Sequence, residues 1–587
     1  MPTFHFSPRP NRAHEINWHE WSDAAFSDAQ RQDKPILLGI SAVWCHWCHV
    51  MDETSYSDPE VIRLINERFV AIRVDNDERP DVNRRYNLGG WPTTAFLTPM
   101  GEVLTGGTYI PPAQMTSYLT QVSDLYKNSK QDILQKIAEH EKARKSAQGR
   151  ERNAKVSPQI VDDVLCAVLD HFDPVYGGFG DAPKFPQPDA IQLALERYFA
   201  TRDERLLPVV TTTLSQMARG GTYDRVAGGF FRYSTTRDWS VPHFEKMLED
   251  NAKLLRVLVH AYRVTRQDIF SDTIQTLTAY VDATLSDPAR GGFFGSQDAD
   301  EEYYALSLAE RAKLSAPYVD RTFYTDWNAL MISAYLATGR EDLRASALKT
   351  LERLWREMYR ADTGLFHFCR VDGAPQLENH LSDLAHATRA LLDAYQVTGD
   401  ATHLARAQTL ADLALDKLFD AAAGAFWSEP GENDSLGLLR LRDQALNENA
   451  VMADALIALT HFTGEEKYRA AAQRALEFFA AEYARYGLMA AQYALAVDRW
   501  LNEPVSVHVI GALNDPRTRA LHAAALAEYA PGKLVQLFDP TRDARLIARL
   551  GYPANGAPLA YVCVGKKCYA PTSDARQIVL AMRDAIK

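Results

Sequence analysis

The chain has 587 residues, enough as a soft prior for about four domains. Apolar residues make up 46% and charged residues 24%, an ordinary globular balance, and no run of about 18 apolar residues offers a membrane span. The net charge of −12 argues against a sequence-independent grip on nucleic acid, which needs a basic face.

The first ten residues have no basic cap followed by an apolar stretch, so no secretory signal is expected and the protein is placed in the cytoplasm. Six cysteines, at 45, 48, 166, 369, 563 and 568, are too sparse for a disulfide scaffold. The two close pairs point to redox or metal chemistry in a reducing compartment.

A Pro-bounded apolar run, Ile36 to Ser41, predicts a buried strand. It leads into Trp44-Cys45-His46-Trp47-Cys48-His49, then helical spacing from Glu60 to Asn66 and a second strand from Phe69 to Asp75. Gly90-Trp91-Pro92-Thr93 opens a third strand, and Met100-Gly101-Glu102 turns the chain into Val103-Leu104. Roughly residues 30–125 in this order resemble a thioredoxin. That resemblance implies a cis Trp91–Pro92 bond with Pro92 beside the dithiol. Two cysteines three apart at a helix start can form a disulfide or hold a thiolate against the positive helix end. Cys45 is expected to be the exposed nucleophile and Cys48 the resolving thiol, with His46 and His49 adding positive charge. Thioredoxins carry a buried Asp six residues before the first Cys; here that position is Gly39. Haem attachment shares the Cys-x-x-Cys-His pattern but needs export. Cys45, His46, Cys48 and His49 cannot by themselves surround a tetrahedral zinc from one helix start. No metal or cofactor is expected.

Residues 126–157, with Lys127, Lys130, Lys136, Arg150, Glu151 and Arg152 among their charges, read as an exposed helix plus connector. A repeat follows over 158–502: Asp173…Gly177-Gly178-Phe179, Asp224…Gly228-Gly229-Phe230 and Asp287…Gly291-Gly292-Phe293, with weaker copies at Asp362…Phe366 and Asp420…Phe426. Apolar periodicity gives twelve helices, beginning near Gln159, Ala190, Arg205, Asp250, Asp268, Asp326, Glu341, Asp383, His403, Asn449, Glu466 and Leu488. Six hairpins predict an (α/α)6 toroid whose inner helices surround a pocket, with Asp326, Asp383 and Asn449 suited to capping. The mouth segments are rich in aromatic and ionisable residues, which suits a polyhydroxylated ligand. The expected ligand contacts are Tyr223, Arg232, Tyr233, Trp239, Glu245, Lys246, Asp298, Asp300, Trp327, Asn328 and Asp383.

The motif string Lys34-Pro35-Ile36, Cys45 to Met51, Gly90-Trp91-Pro92-Thr93, Gly106 to Pro112, Ala182-Pro183-Lys184-Phe185-Pro186, Gly228 to Ser234, Val241 to Leu248, Asp298-Ala299-Asp300, Thr325-Asp326-Trp327-Asn328 and Cys563…Cys568 resembles the spermatogenesis-associated protein 20 family, whose bacterial members include YyaL. The family's toroid is similar to N-acylglucosamine 2-epimerases and six-hairpin glycosidases, which implies a sugar-type pocket.

Residues 503–587 read as a small α/β appendage, with strand-like runs at 505–511, 534–538 and 560–564. Cys563 and Cys568 are either a second redox pair that exchanges with the first or two packed thiols. Three functions are open. One is a thiol–disulfide oxidoreductase acting on a redox protein partner or disulfide substrate, with the toroid selecting the substrate. Another is a sugar isomerase or epimerase using His243 and His386, or a glycoside hydrolase drawing on Asp250, Asp298, Asp300, Asp326 and Asp383. The last is a non-enzymatic redox-linked metabolite sensor.

Overall fold

A computed structural model describes residues 4–147, 154–431, 436–553 and 557–586. Strands β1 (Trp18–His19), β2 (Ile36–Ser41), β3 (Val70–Asp75), β4 (Thr93–Leu97) and β5 (Val103–Gly107) form one sheet in the order β1-β3-β2-β4-β5, with β1, β3 and β2 parallel and β4 and β5 antiparallel to their neighbours. Both faces of the sheet are covered, so β2 and β3 are near-continuous apolar runs. The helices of this unit are α1 (Asp23–Gln32), α2 (His46–Glu53), α3 (Pro59–Arg68), α4 (Pro80–Tyr86) and α5 (Pro112–Ala147). Asp58 and Pro59 show why α3 starts where it does: the carboxylate accepts from the Glu60 and Val61 amides, and proline fills the first helical position. Trp91–Pro92 is cis. The charged stretch after residue 125 is helical as far as Ala147. It continues α5, kinked at Ser129, with Lys130 bound to Asp33 at 2.5 Å; Arg150, Glu151 and Arg152 lie outside the described residues.

The helical domain contains α6 (Pro158–His171), α7 (Pro188–Thr201), α8 (Leu206–Arg219), α9 (Leu248–Thr265), α10 (Asp268–Tyr280), the short α11 (Glu301–Tyr304) and α12 (Leu308–Arg311), α13 (Thr325–Thr338), α14 (Glu341–Arg353), α15 (Leu381–Thr398), α16 (Ala401–Lys417), α17 (Leu446–Thr463), α18 (Glu466–Phe479) and α19 (Ala491–Leu501). Helices α7, α9, α13, α15, α17 and α19 touch in succession, and α19 returns to α7, so the inner ring is closed. Walled in on both sides, α13 and α17 spread their apolar residues around the helix and have no single apolar face. The expected six consecutive hairpins are in fact five: α8, α10, α14, α16 and α18 each back the inner helix before them, and the remaining outer place, behind α19, is taken by α6.

The Gly-Gly-Phe repeat is the device that turns outer helices into inner ones. At Asp224, Lys246 donates to the carboxylate and to the Gly228 carbonyl, both at 2.8 Å. Lys184 does the same for Asp173 and Gly177 at 2.6 and 2.7 Å, and Arg353 for Asp287 and Gly291 at 3.3 and 2.6 Å. Gly228 and Gly229 both have positive φ, and a Cβ on Gly229 would stand 2.5 Å from the Tyr280 ring. An asparagine in the first turn of the next inner helix then clasps the phenylalanine backbone from both sides. Asn251 binds the Phe230 amide at 2.7 Å and its carbonyl at 3.0 Å; Asn328 holds Phe293 at 2.8 and 3.0 Å, and Asn449 holds Phe426 at 2.7 and 2.9 Å. Asn449 is therefore a clasp, not a cap.

The last domain has a four-stranded sheet with Val505–Ile510 between Leu534–Phe538 and Leu559–Val564, and Lys567–Cys568 outside the latter. It docks at the C-terminal ends of the inner helices, where the Val535 amide donates to Gln396 at 3.0 Å and Gln536 to the Tyr395 hydroxyl at 3.1 Å. Among the described residues no helix is long and apolar enough to cross a membrane. Replacing Asn328 by alanine strands a buried amide and carbonyl of Phe293, so urea unfolding should show a loss of about 3 kcal/mol. A loss below about 0.5 kcal/mol would show that the clasp is not structural.

Candidate functional site

Cys45 caps α2, its sulfur accepting from the Cys48 amide at 3.2 Å, and the two cysteines form a disulfide. The expected helix start and cis-proline are both present, and Trp91 packs edge-on against Trp44 with centroids 5.7 Å apart. The expected exposure of Cys45 is not. Cys45 is 4% and Cys48 2% accessible, because the domain lies face down on the toroid and both join the toroid's apolar core.

That docking is held by specific bonds. His49 Nε2 meets Asp298 Oδ2 at 2.9 Å in a buried pair, and Asp298 holds the His49 pKa up against its burial. Arg84 binds Glu448 at 2.6 Å, Arg85 binds Glu429, Arg370 binds Glu78, and the Leu438 amide donates to Tyr86 at 2.7 Å. Arg232 lays its guanidinium over Trp44 and Trp91, 4.3 and 4.9 Å from the ring centroids. His367, on the strand Gly364–Cys369, spans the joint: Nε2 lies 2.8 Å from the Asp77 carbonyl and Nδ1 3.0 Å from both Asp383 oxygens. The Asp77 carbonyl can only accept, and so can Asp383 when ionised, so an ionised Asp383 requires a proton on each ring nitrogen. Burial opposes that charge, but Asp383 outweighs it and lifts the pKa to about 10.

Between the two domains lies a cavity of about 230 Å³. Asn76, Asp77, Pro80 and Arg84 roof it; Glu249, Asp326, Trp327, Ser382 and Glu448, from the first turns of α9, α13, α15 and α17, with His367 and His380, form its walls. Burial, then Asp383, pushes Asp326 up to about 6, and burial raises Asp77 to about 7. Burial and then Glu249 raise Asp250 to about 7, while burial and then Lys253 depress His386 to about 3. The neutral imidazole of His386 and carboxyls that can hold or release a proton near neutrality are groups capable of acid–base work. Asp326, His367 and Asp383 bring ligand atoms within 4.8 Å of one another, the spacing of a cation site. In this structure Asp383 joins the three, accepting from His367 Nδ1 and from the Asp326 amide.

The predicted site residues divide three ways. Asp326 and Trp327 line the cavity; Asp383 stands behind it, holding His367. His243 and His386 are not a facing pair. His243 is bound to Glu245 and stacked on Tyr233 at 4.9 Å, whereas His386 senses Lys253, Glu249 and Arg256. Arg232 and Asp298 serve the domain joint. Tyr223, Trp239, Lys246, Asp300 and Asn328 are corrected from ligand contacts to fold elements. Tyr223 binds Thr276, Trp239 is fully buried with its indole N–H on the Tyr176 carbonyl at 2.9 Å, and Asp300 caps α11 by accepting from the Tyr303 amide at 2.9 Å. Lys246 is fully buried in its turn and Asn328 is consumed by its clasp. Sequence reasoning missed Asp77, Arg84, His367, His380 and Glu448. Cys563 and Cys568 sit opposite each other in a hairpin and are bridged. The first disulfide lies at the N-terminal ends of the inner helices, whereas the domain bearing the second docks near Gln396, about 20 Å farther along α15 than Asp383 at 1.5 Å per residue.

The family Thioredox_DsbH, described as "Protein of unknown function, DUF255", matches residues 9–145. Spermatogenesis-associated protein 20 of Homo sapiens is 27% identical over 95% of this chain and 88% of its own length. Thiol:disulfide interchange protein DsbD 1 of Pseudomonas aeruginosa is 33% identical over 17% of this chain and 18% of its own. Among solved structures, cellobiose 2-epimerase from Spirochaeta thermophila aligns with a TM-score of 0.49 at 15% identity, covering 58% of this chain and 94% of that one. A D-mannose isomerase aligns at 0.48 and 12%, covering 59% and 98%.

His367 titrates near 6.5 when unfolded and at about 10 when folded, so its contribution to stability is complete below pH ~6.5 and is lost as the pH rises through about 10. The urea midpoint of the wild type should exceed that of His367→Gln at pH 6, and the gap should narrow by pH 10. A gap that stays constant over that range would mean the imidazole is not charged.

Proposed function

Because the chain is a homologue of spermatogenesis-associated protein 20 along nearly its whole length, we propose that it couples thiol–disulfide exchange at Cys45 and Cys48 to the binding of a polyhydroxylated, carbohydrate-like small molecule in the toroid. The observation that carries the redox half is the Cys45–Cys48 disulfide at the start of α2, beside the cis Trp91–Pro92 bond. The helix end lowers the energy of a thiolate there. Similarity of this segment to a thiol:disulfide interchange protein supports the assignment. The sparse cysteines fit a reducing compartment, the cytoplasm.

The ligand half rests on the cavity beneath Asp77. Trp327 offers an aromatic face, and Asp326, Ser382, Glu249 and Glu448 offer acceptors and donors to hydroxyl groups. A catalytic toroid is the second reading, favoured by Asp326: a carboxyl with a pKa near 6 on the cavity wall can both give and take a proton in sugar isomerisation or hydrolysis.

Redox titration of the full chain should reveal a two-electron couple that disappears in Cys45→Ser; the same couple persisting in that variant removes the redox assignment. Neutral mono- and disaccharides, screened by calorimetry, should include a ligand whose affinity drops about tenfold, or ~1.4 kcal/mol, in Asp326→Asn. If no sugar of the panel binds the wild type, the ligand assignment fails.

A further inference from the structure

We infer that the thiol–disulfide substrate of this chain is a low-molecular-weight thiol carrying a carboxylate, or its disulfide, and that Arg232 anchors that carboxylate. The inference rests on the redox assignment above and narrows it. A folded partner protein must lay an extended segment across a dithiol, and here the toroid already covers that surface. Cys45 and Cys48 keep only 4% and 2% of their surface open to solvent, and the joint is fastened on several sides, by His49–Asp298, His367–Asp77, Arg84–Glu448 and Arg370–Glu78. A small molecule needs only the seam between the two domains. Trp47, between the two cysteines, is 46% accessible and packs on Tyr109 at 5.3 Å; on the toroid, Tyr233, next to Arg232, is stacked with Phe185 and His243.

Arg232 belongs to this seam. It rests on Trp44, the residue before Cys45, and on Trp91, the residue before cis-Pro92, with Tyr233 at 5.8 Å. Among the described residues its guanidinium has no ion pair and no hydrogen bond, although Asp77, Glu249 and Asp250 feel its charge from farther away. A guanidinium resting against two indoles beside a disulfide, with no hydrogen-bond partner for its donors, is matched by a planar carboxylate.

The Cys45 thiolate attacks one sulfur of the small disulfide, forming a mixed disulfide and expelling one thiolate, which takes up a proton. Cys48 then loses its proton and attacks the Cys45 sulfur, closing the 45–48 bond and releasing the second thiol. The protein dithiol loses two electrons, and one disulfide becomes two thiols.

The test uses the reduced full chain and follows loss of alkylatable thiols at Cys45 and Cys48 by mass spectrometry, with oxidised glutathione, hydroxyethyl disulfide and insulin as oxidants. Oxidised glutathione should react about tenfold faster than the uncharged disulfide, and insulin more slowly than either. Arg232→Gln should abolish the preference for the charged disulfide, while Arg232→Lys should retain part of it. Insulin reacting as fast as oxidised glutathione, or a preference that survives in Arg232→Gln, overturns the inference and leaves the redox assignment standing. Failure of all three oxidants to close the 45–48 bond overturns the redox assignment itself.

Discussion

One imidazole ring sets how the two large domains meet. His367 has a proton on each nitrogen; one goes to a backbone carbonyl of the thioredoxin-like unit and the other to a carboxylate of the toroid. A buried cation is tolerable only when every proton has an acceptor, so neither domain can shift without stranding a charge. The same ring is a wall of the cavity, and Asp383, which holds it, is also what drives up the pKa of Asp326 after burial. Domain placement and cavity electrostatics therefore have one cause. The pairs Arg84–Glu448 and Arg370–Glu78 add orientation, but they are partly hydrated and individually worth less.

The two halves of the joint were unequally legible in the sequence. The thioredoxin-like strands and the dithiol declare themselves locally, since a buried strand, a helix start and a proline turn each have short-range signatures. The twelve helices follow from periodicity alone, and their observed starts lie within three residues of the expected ones. What periodicity lacks is partner choice. Nothing in the apolar face of α6 says that it serves α19 at the far end of the domain and not α7 beside it. The asparagines show the same limit: Asn449 near a helix start looks like a cap, and only the three-dimensional return of Phe426 turns it into a clasp.

The site was legible in its chemistry and illegible in its accessibility. Cys45 and Cys48 have the spacing and helix position of a reactive pair, but their burial comes from loops about 200 residues or more away in sequence, such as those bearing Arg232 and Asp298. Lys246 and Tyr223 drew attention for the same reason that charged and aromatic residues near glycines usually do, yet a turn that must bury its own carbonyls recruits the same residue types as a ligand pocket. His367 was silent because an isolated histidine in a strand carries no spacing signal.

The pairing of α6 with α19 has a consequence for how the chain is made. The phenol of Tyr483 reaches back to Asp163, so the first outer helix waits on the ribosome for its cover until over 300 further residues have emerged. During that interval the N-terminal unit can complete its own sheet, while Ile160, Val161, Val164 and Val168 of α6 have no mate. Vectorial synthesis thus leaves an apolar stripe open until last, which is where a holding chaperone would bind and where a nonsense mutation late in the reading frame would do its damage.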